Sequence, residues 1–164
     1  MISEKVVKAI DDQINMEYYS AFLYLAMSNE MDAKGFRGYA RWLFLQYQEE
    51  IDHAEKFIAF VQRRGAEPTL KTIEAPGKVP TAPVATAEAA FGHEVKVSQS
   101  IDRIYALANK EEDYATVSFL KWFIDEQVEE EENTRDILDM FKLAGNSPGA
   151  LMAMDGKLGS RVGE

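Results

Sequence analysis

Glu50 and His53 stand three residues apart in QYQEEIDHAEKF, residues 46–57, and both interrupt an apolar stripe. Tyr47, Ile51, Ala54, Phe57 and Ile58 recur there at spacings of three and four, the rhythm of a helix with one buried face. A carboxylate and an imidazole aimed at that face need partners, because burying an ionised carboxylate alone costs on the order of several kcal/mol. Either the two side chains reach water or each other at the edge of the stripe, or a cation lies between them in the interior. The rest of the chain decides between these.

The pair has an echo. Glu17 precedes Glu50 by 33 residues, and Glu94 precedes Gln127 by the same interval. A spacing of 77 separates Glu17 from Glu94, Glu50 from Gln127 and His53 from Glu130. A pattern Glu … Glu-x-x-His in the first half thus returns as Glu … Gln-x-x-Glu in the second. Residues i and i+3 share a helix face, so each closing pair projects together. Folding the halves about a pseudo-twofold axis brings four carboxylates, one imidazole and one amide to a single level of the core. Hard oxygen donors with one imidazole and no sulfur suit divalent first-row ions, and four carboxylates can neutralise two of them. The echo favours the cation.

These residues need four helices to carry them. Ser3 and Glu4 open a helix whose one face is Val6, Ile10, Ile14, Glu17, Ala21, Tyr24, Ser28 and Met31, ending at DAKG. Further helices are predicted over about 36–64, 84–109 and 112–143, after a first at about 3–33, with a short one at about 147–159. GAEPTLKTIEAPGKVPTAP, which holds all but one of the five prolines, has little periodicity and reads as a connector. Short turns make each helix pair antiparallel. The connector spans roughly 60 Å at ~3.3 Å per residue, against about 42 Å for a 28-residue helix. It can therefore run the length of the bundle. The predicted fold is all-α: one domain over residues 1–164, an antiparallel four-helix bundle with one long crossover and a short C-terminal fifth helix.

Composition narrows the chemistry. With 164 residues, 46% of them hydrophobic, the chain can bury one sizeable core. A net charge of −10 argues against nucleic acid and against an anionic membrane surface as partners. The absence of cysteine excludes disulfides, thiolate zinc sites, iron–sulfur clusters and thiol catalysis. MISEKVVKAIDDQ lacks a signal-peptide pattern and no apolar run is long enough to span a bilayer, so a soluble cytoplasmic protein is expected.

In EYYSAFLYLAM, QEEIDHAEKF and FLKWFIDEQVEEE, and along essentially its whole length, the chain resembles a non-haem bacterial or archaeal ferritin, a ferritin-like di-iron carboxylate protein. The resemblance implies ferroxidase activity, with Glu17, Glu50 and His53 as ligands of a first iron. Glu50, Glu94 and Glu130 would bind the second, Glu50 bridging, with Gln127 close by. It implies Fe(II) and dioxygen or peroxide as substrates, and an Fe(III) mineral stored in a homo-oligomeric cage of twenty-four subunits. Haem is not expected: bacterioferritin has a second E-x-x-H and a haem-ligating methionine where this chain has Gln127-x-x-Glu130 and Ile51. Rubrerythrin would add a cysteine-rich iron domain. Mini-ferritins of the starved-cell type split their site between subunits and lack the fifth helix.

Other residues carry two readings. Tyr24, seven residues after Glu17, shares its face; the resemblance makes it a hydrogen-bond partner of a ligand carboxylate, and a plain core tyrosine is the alternative. Trp122 is assigned to core packing. DEQVEEEE places like charges at i, i+4 and reads as a solvated acidic face, whereas the resemblance implies a third iron site made by Glu49, Glu126 and Glu129 with Glu130. His93, Asp52 and the remaining acids are read as surface groups. Ser147 and Pro148 start the last helix, whose Leu151, Met154 and Leu158 form a stripe. About 12 residues are marginal alone, so that stripe is expected to be buried against other subunits, with folding back on its own bundle as the alternative. Two rival functions remain, a di-iron oxygenase of organic substrates and a metal-free helical interaction module.

Overall fold

Sequence periodicity becomes four long helices and one short one in the computed structural model, which describes residues 2–163. They are α1 (Glu4–Ala33), α2 (Arg37–Arg63), α3 (Pro83–Lys110), α4 (Tyr114–Ala144) and α5 (Pro148–Gly159). No strand occurs among the described residues. The Ser3 hydroxyl accepts from the Val6 amide to start α1, and Gly35, at φ 87°, turns the chain into α2. Tyr114 begins α4 two residues later than position 112, the expected start. Glu112 sits at φ 56°, a left-handed conformation outside any helix. Asp113 is the cap, accepting from the Thr116 amide at 3.2 Å. Arg64, just past α2, donates to the same carboxylate at 2.9 Å and ties the two helix ends together.

Packing follows two antiparallel hairpins, α1 with α2 and α3 with α4, joined across α1 and α3. Tyr24 meets Glu94, while Val6 and Ile10 share a cluster with Ile101 and Ile104, so α1 and α3 also run antiparallel. Large side chains bridge α2 and α4: Phe57 stacks on Phe123 at 4.0 Å and Phe60 on Phe119 at 3.9 Å. The crossover between α2 and α3 is held to the first turns of α1, where the Thr69 amide donates to Asp11 at 3.1 Å and Lys71 pairs with Asp12.

The apolar interior is split in two. One cluster holds Ile10, Ile14, Phe57, Val97, Leu120 and Phe123; the other holds Tyr24, Leu43, Ala90, Ile137 and Phe141. Along every long helix a buried glutamate falls between them: Glu17, Glu50, Glu94 and Glu130. The fold thus inserts one polar layer into a hydrophobic core.

The stripe of α5 does not wait for another subunit. Met154 and Leu158 are buried beside Tyr39, Trp42, Ile137 and Phe141 of the same chain. Two glycines make this fit: a Cβ on Gly38 would lie 1.8 Å from the Asp155 carbonyl oxygen, and one on Gly159 would lie 2.9 Å from the Gly38 Cα. Asp155 also accepts from the Tyr39 amide at 2.9 Å, satisfying an otherwise unpaired donor in the first turn of α2. The expectation of an intersubunit destination is corrected accordingly.

Candidate metal centre

Each of the four long helices contributes to the polar layer because a position in its buried stripe is a glutamate. Glu17 and Glu94 are fully buried, Glu50 is 2% exposed, His53 4%, and Gln127 and Glu130 5%. Ligand atoms of Glu17, Glu50 and His53 all lie within 4.8 Å of one another, the only such trio among the described residues. His53 Nδ1 lies 3.5 Å from Glu50 Oε2. Glu94 and Glu130 face the same layer from the other hairpin, where their charges act on Glu50.

The outer oxygens are held by neutral donors. Gln13 Nε2 donates to Glu17 Oε1 at 2.8 Å, and Tyr24 Oη donates to Glu94 Oε1 at 2.5 Å. Gln127 Nε2 donates to Glu94 Oε2 at 3.2 Å, and Gln46 Nε2 to Glu130 Oε2 at 2.8 Å. Tyr24 is therefore a partner of a buried carboxylate, beyond core packing. Two oxygens fare differently: Glu17 Oε2 and Glu50 Oε2 are buried and no surrounding amide, hydroxyl or backbone group donates to them, which leaves only a proton shared between the two carboxyl groups. Buried carboxylate oxygens are seldom left so.

Electrostatics express the same crowding. Burial, with a smaller push from Glu94 and against hydrogen bonds from Gln13 and Glu50, takes Glu17 up to about 7, and burial with Glu94 and Glu49 takes Glu130 to about 8. Glu50 is raised well above the ordinary range by burial and then by Glu94, Glu17 and Glu130, and Glu94 is raised too, again chiefly by burial. Burial, helped by Lys56, lowers His53 to about 4, so its imidazole is neutral and free to donate a lone pair. Four carboxyl groups that resist ionising together, with two donorless oxygens beside a neutral imidazole, fit divalent cations.

Other expected residues are placed differently. Glu49, half-buried, receives Arg161 Nη2 at 2.7 and 2.8 Å on its two oxygens. Glu126 is half-buried and Glu129 exposed, and these three carboxylates do not converge as the Glu17 trio does. Trp122 is not core packing: it is 42% exposed, meets the His53 ring edge-on at 5.6 Å and carries Lys56 Nζ 3.9 Å over its face. Phe123 takes the core position beside it. His93 is not a surface group. Its Nε2 lies 2.7 Å from the Ser20 hydroxyl, which itself donates to the Met16 carbonyl, and burial lowers it to about 4. Asp52 is exposed. A groove between α3 and α4 is lined by Ser98, Asp102, Gln127, Glu131 and Arg135 but by none of the four glutamates of the layer.

The sequence reading missed Gln13 and Gln46, although a signal was present. They stand 33 residues apart, the interval that relates Glu17 to Glu50.

A long-crossover four-helix bundle with a carboxylate–imidazole layer at mid-height defines the ferritin-like class. The comparisons agree: a family model described as Ferritin-like domain matches residues 7–144. The bacterial non-haem ferritin of Bacteroides fragilis is 39% identical over 164 residues, covering 98% of this chain and 100% of that protein. That of Staphylococcus aureus is 32% identical, covering 99% and 98%. An open-pore ferritin from the hyperthermophilic archaeon Archaeoglobus fulgidus superposes with a TM-score of 0.97 at 41% identity, covering 99% of this chain and 100% of its own. A closed form of that ferritin, engineered by site-directed mutagenesis, gives 0.98 at 40% identity, with 100% of both chains covered. The chain belongs to the ferritin family.

Proposed function

We propose that this ferritin stores iron in the cytoplasm, oxidising Fe(II) at the Glu17–Glu50–His53–Glu94–Glu130 centre and keeping the Fe(III) mineral inside a shell of twenty-four copies of itself. The observation that carries the reading is the buried trio of Glu17, Glu50 and His53, with two carboxylate oxygens that no group outside the trio satisfies. Fe(II) is the substrate: each of two ions gives up one electron, and dioxygen takes both with two protons to leave as hydrogen peroxide.

The chain's own part is to bind and to manage protons. Gln13 and Gln46 each hold one oxygen, of Glu17 and Glu130 respectively, and Tyr24 and Gln127 together hold both oxygens of Glu94, which fixes the carboxyl groups in the layer. Glu50, whose carboxyl group is acted on by Glu17, Glu94 and Glu130 alike, would be shared by both ions, and neutral His53 would hold one of them together with Glu17. Carboxyl groups held protonated by burial must release those protons as cations enter, so binding couples to proton release. Gln127 holds Glu94 and is a positioning residue.

For the shell, α5 is already committed to its own bundle, which leaves Leu143, Met152 and Val162 as large apolar side chains exposed around it for subunit contacts. Light scattering at neutral pH and moderate salt should give a mass many times 18.5 kDa, with many irons held per chain after loading. Stopped-flow oxidation should lose its rapid phase in Glu50→Ala and in His53→Ala, with helical content retained. A monomer or dimer would refute the shell and storage together, and wild-type oxidation by Glu50→Ala would refute the centre.

A further inference from the structure

Gln46 is 1% exposed, and its amide has two ends that a half-turn would exchange. Its Nε2 faces Glu130 Oε2 at 2.8 Å. Its Oε1 accepts from Arg161 Nη1, which arrives from the segment after α5. The opposite orientation would set the amide carbonyl against a carboxylate and its NH2 against a guanidinium, pairing acceptor with acceptor and donor with donor. Arginine stays charged and can only donate, so Arg161 fixes which end of Gln46 Glu130 meets.

The guanidinium is itself held at three points. Glu49 binds Nη2 through both oxygens, at 2.7 and 2.8 Å, and the guanidinium carbon lies 4.9 Å from the Trp42 ring centre. Nη1 then aims inward at Gln46. An ordinary surface ion pair would end at Glu49; this one extends by one more hydrogen bond to a buried carboxylate of the polar layer. Because Glu49 offsets the charge of Arg161, the larger effect at Glu130 is one of orientation.

We infer that Arg161 is a positioning residue for the Glu130 half of the metal centre, acting through the amide of Gln46. This rests on the proposed di-metal reading. The C-terminal segment beyond α5 thereby sets how tightly the second of two ions is held, while the Glu17–His53 half is indifferent to it.

Titration of the full-length protein with Co(II), followed by its visible absorption, separates the two halves. Arg161→Ala should bind the first equivalent as wild type does and weaken the second about tenfold, the low end of what loss of a partner behind a ligand causes. Gln46→Leu should do the same, and the double variant should be no worse than Gln46→Leu alone, the signature of one shared pathway. Arg161→Lys, which keeps the charge but not the planar fork, should resemble Arg161→Ala. If Gln46→Leu fails to fold, Gln46→Met, which keeps the length of the side chain but not its amide, takes its place in both the single and the double variant. An unchanged or tighter second equivalent in Arg161→Ala, or additive losses in the double variant, would overturn the inference alone. Wild-type protein binding fewer than two ions would remove the proposed function and the inference with it.

Discussion

Tyr24 Oη lies 2.5 Å from Glu94 Oε1, a bond that crosses from the first hairpin to the second. Burial and the nearby carboxylates hold the Tyr24 phenol well above its ordinary range, so it remains a donor. Tyr24→Phe should leave Glu94 with Gln127 as its donor, at about 1–3 kcal/mol of stability in the metal-free protein. Fe(II) oxidation should slow by about ten- to a hundredfold. Thermal melts and stopped-flow traces check both, and wild-type values in each would show Tyr24 to be inert packing.

The metal-free protein should lose stability as pH rises from about 6.5 to about 8. Glu17 and Glu130 titrate in the folded state at about 7 and about 8, against 4.5 for an unburied glutamate. Over the interval between those values the folded chain keeps protons that the unfolded chain has released, and stability falls with pH. His53 and His93, lowered to about 4, act in the opposite sense but only below 6.5, where the unfolded imidazole takes up its proton. Calorimetry of chelator-treated protein should show Tm falling across the upper window, and saturating Zn(II) should flatten or reverse that slope. A rising Tm in the chelated sample contradicts the arrangement.

A third iron site remains a proposal for Glu49, Glu126 and Glu129 with Glu130. Glu126→Gln with Glu129→Gln should preserve the fast phase of two irons per chain and change the later turnover. Should Fe(II) titrations give identical stoichiometry before and after, the acidic run is a solvated face.

Gly38→Ala should loosen α5. The added methyl would have to displace the Asp155 backbone, which is 1.8 Å from its ideal position, and overpacking of this kind costs about 1–3 kcal/mol. The expected result is a lower Tm and faster proteolysis after residue 144, with Co(II) binding to the Glu17 half intact. A variant as stable and as resistant as wild type would show that α5 tolerates the shift.

The four glutamates were legible because charge at a stripe position is costly and the 33- and 77-residue intervals repeat it. Gln13 and Gln46 obey the same interval, but a glutamine on a helix face is too ordinary to stand out. His93 was misread because it lies one residue from Glu94, about 100° around the helix; it faces Ser20 on α1, a contact no periodicity announces. An amphipathic stripe in α5 says that something must cover it without saying what. The absent side chain at Gly38, in the first turn of α2, was the clue to the answer. Arg161 sits in a tail with no pattern at all, so its reach to Gln46 is visible only in three dimensions.

The division of donors between the hairpins has a consequence during synthesis. Glu17, Glu50 and His53 all belong to α1 and α2, which precede Glu94 and Glu130 in the order of synthesis. The first hairpin alone thus carries two carboxylates and an imidazole within reach of one another, while the second supplies two further carboxylates and an amide. Only when α3 and α4 dock do the remaining carboxylates arrive and the solvent leave. Enclosure of the layer therefore depends on the half of the chain made last, which carries no imidazole of its own in the layer.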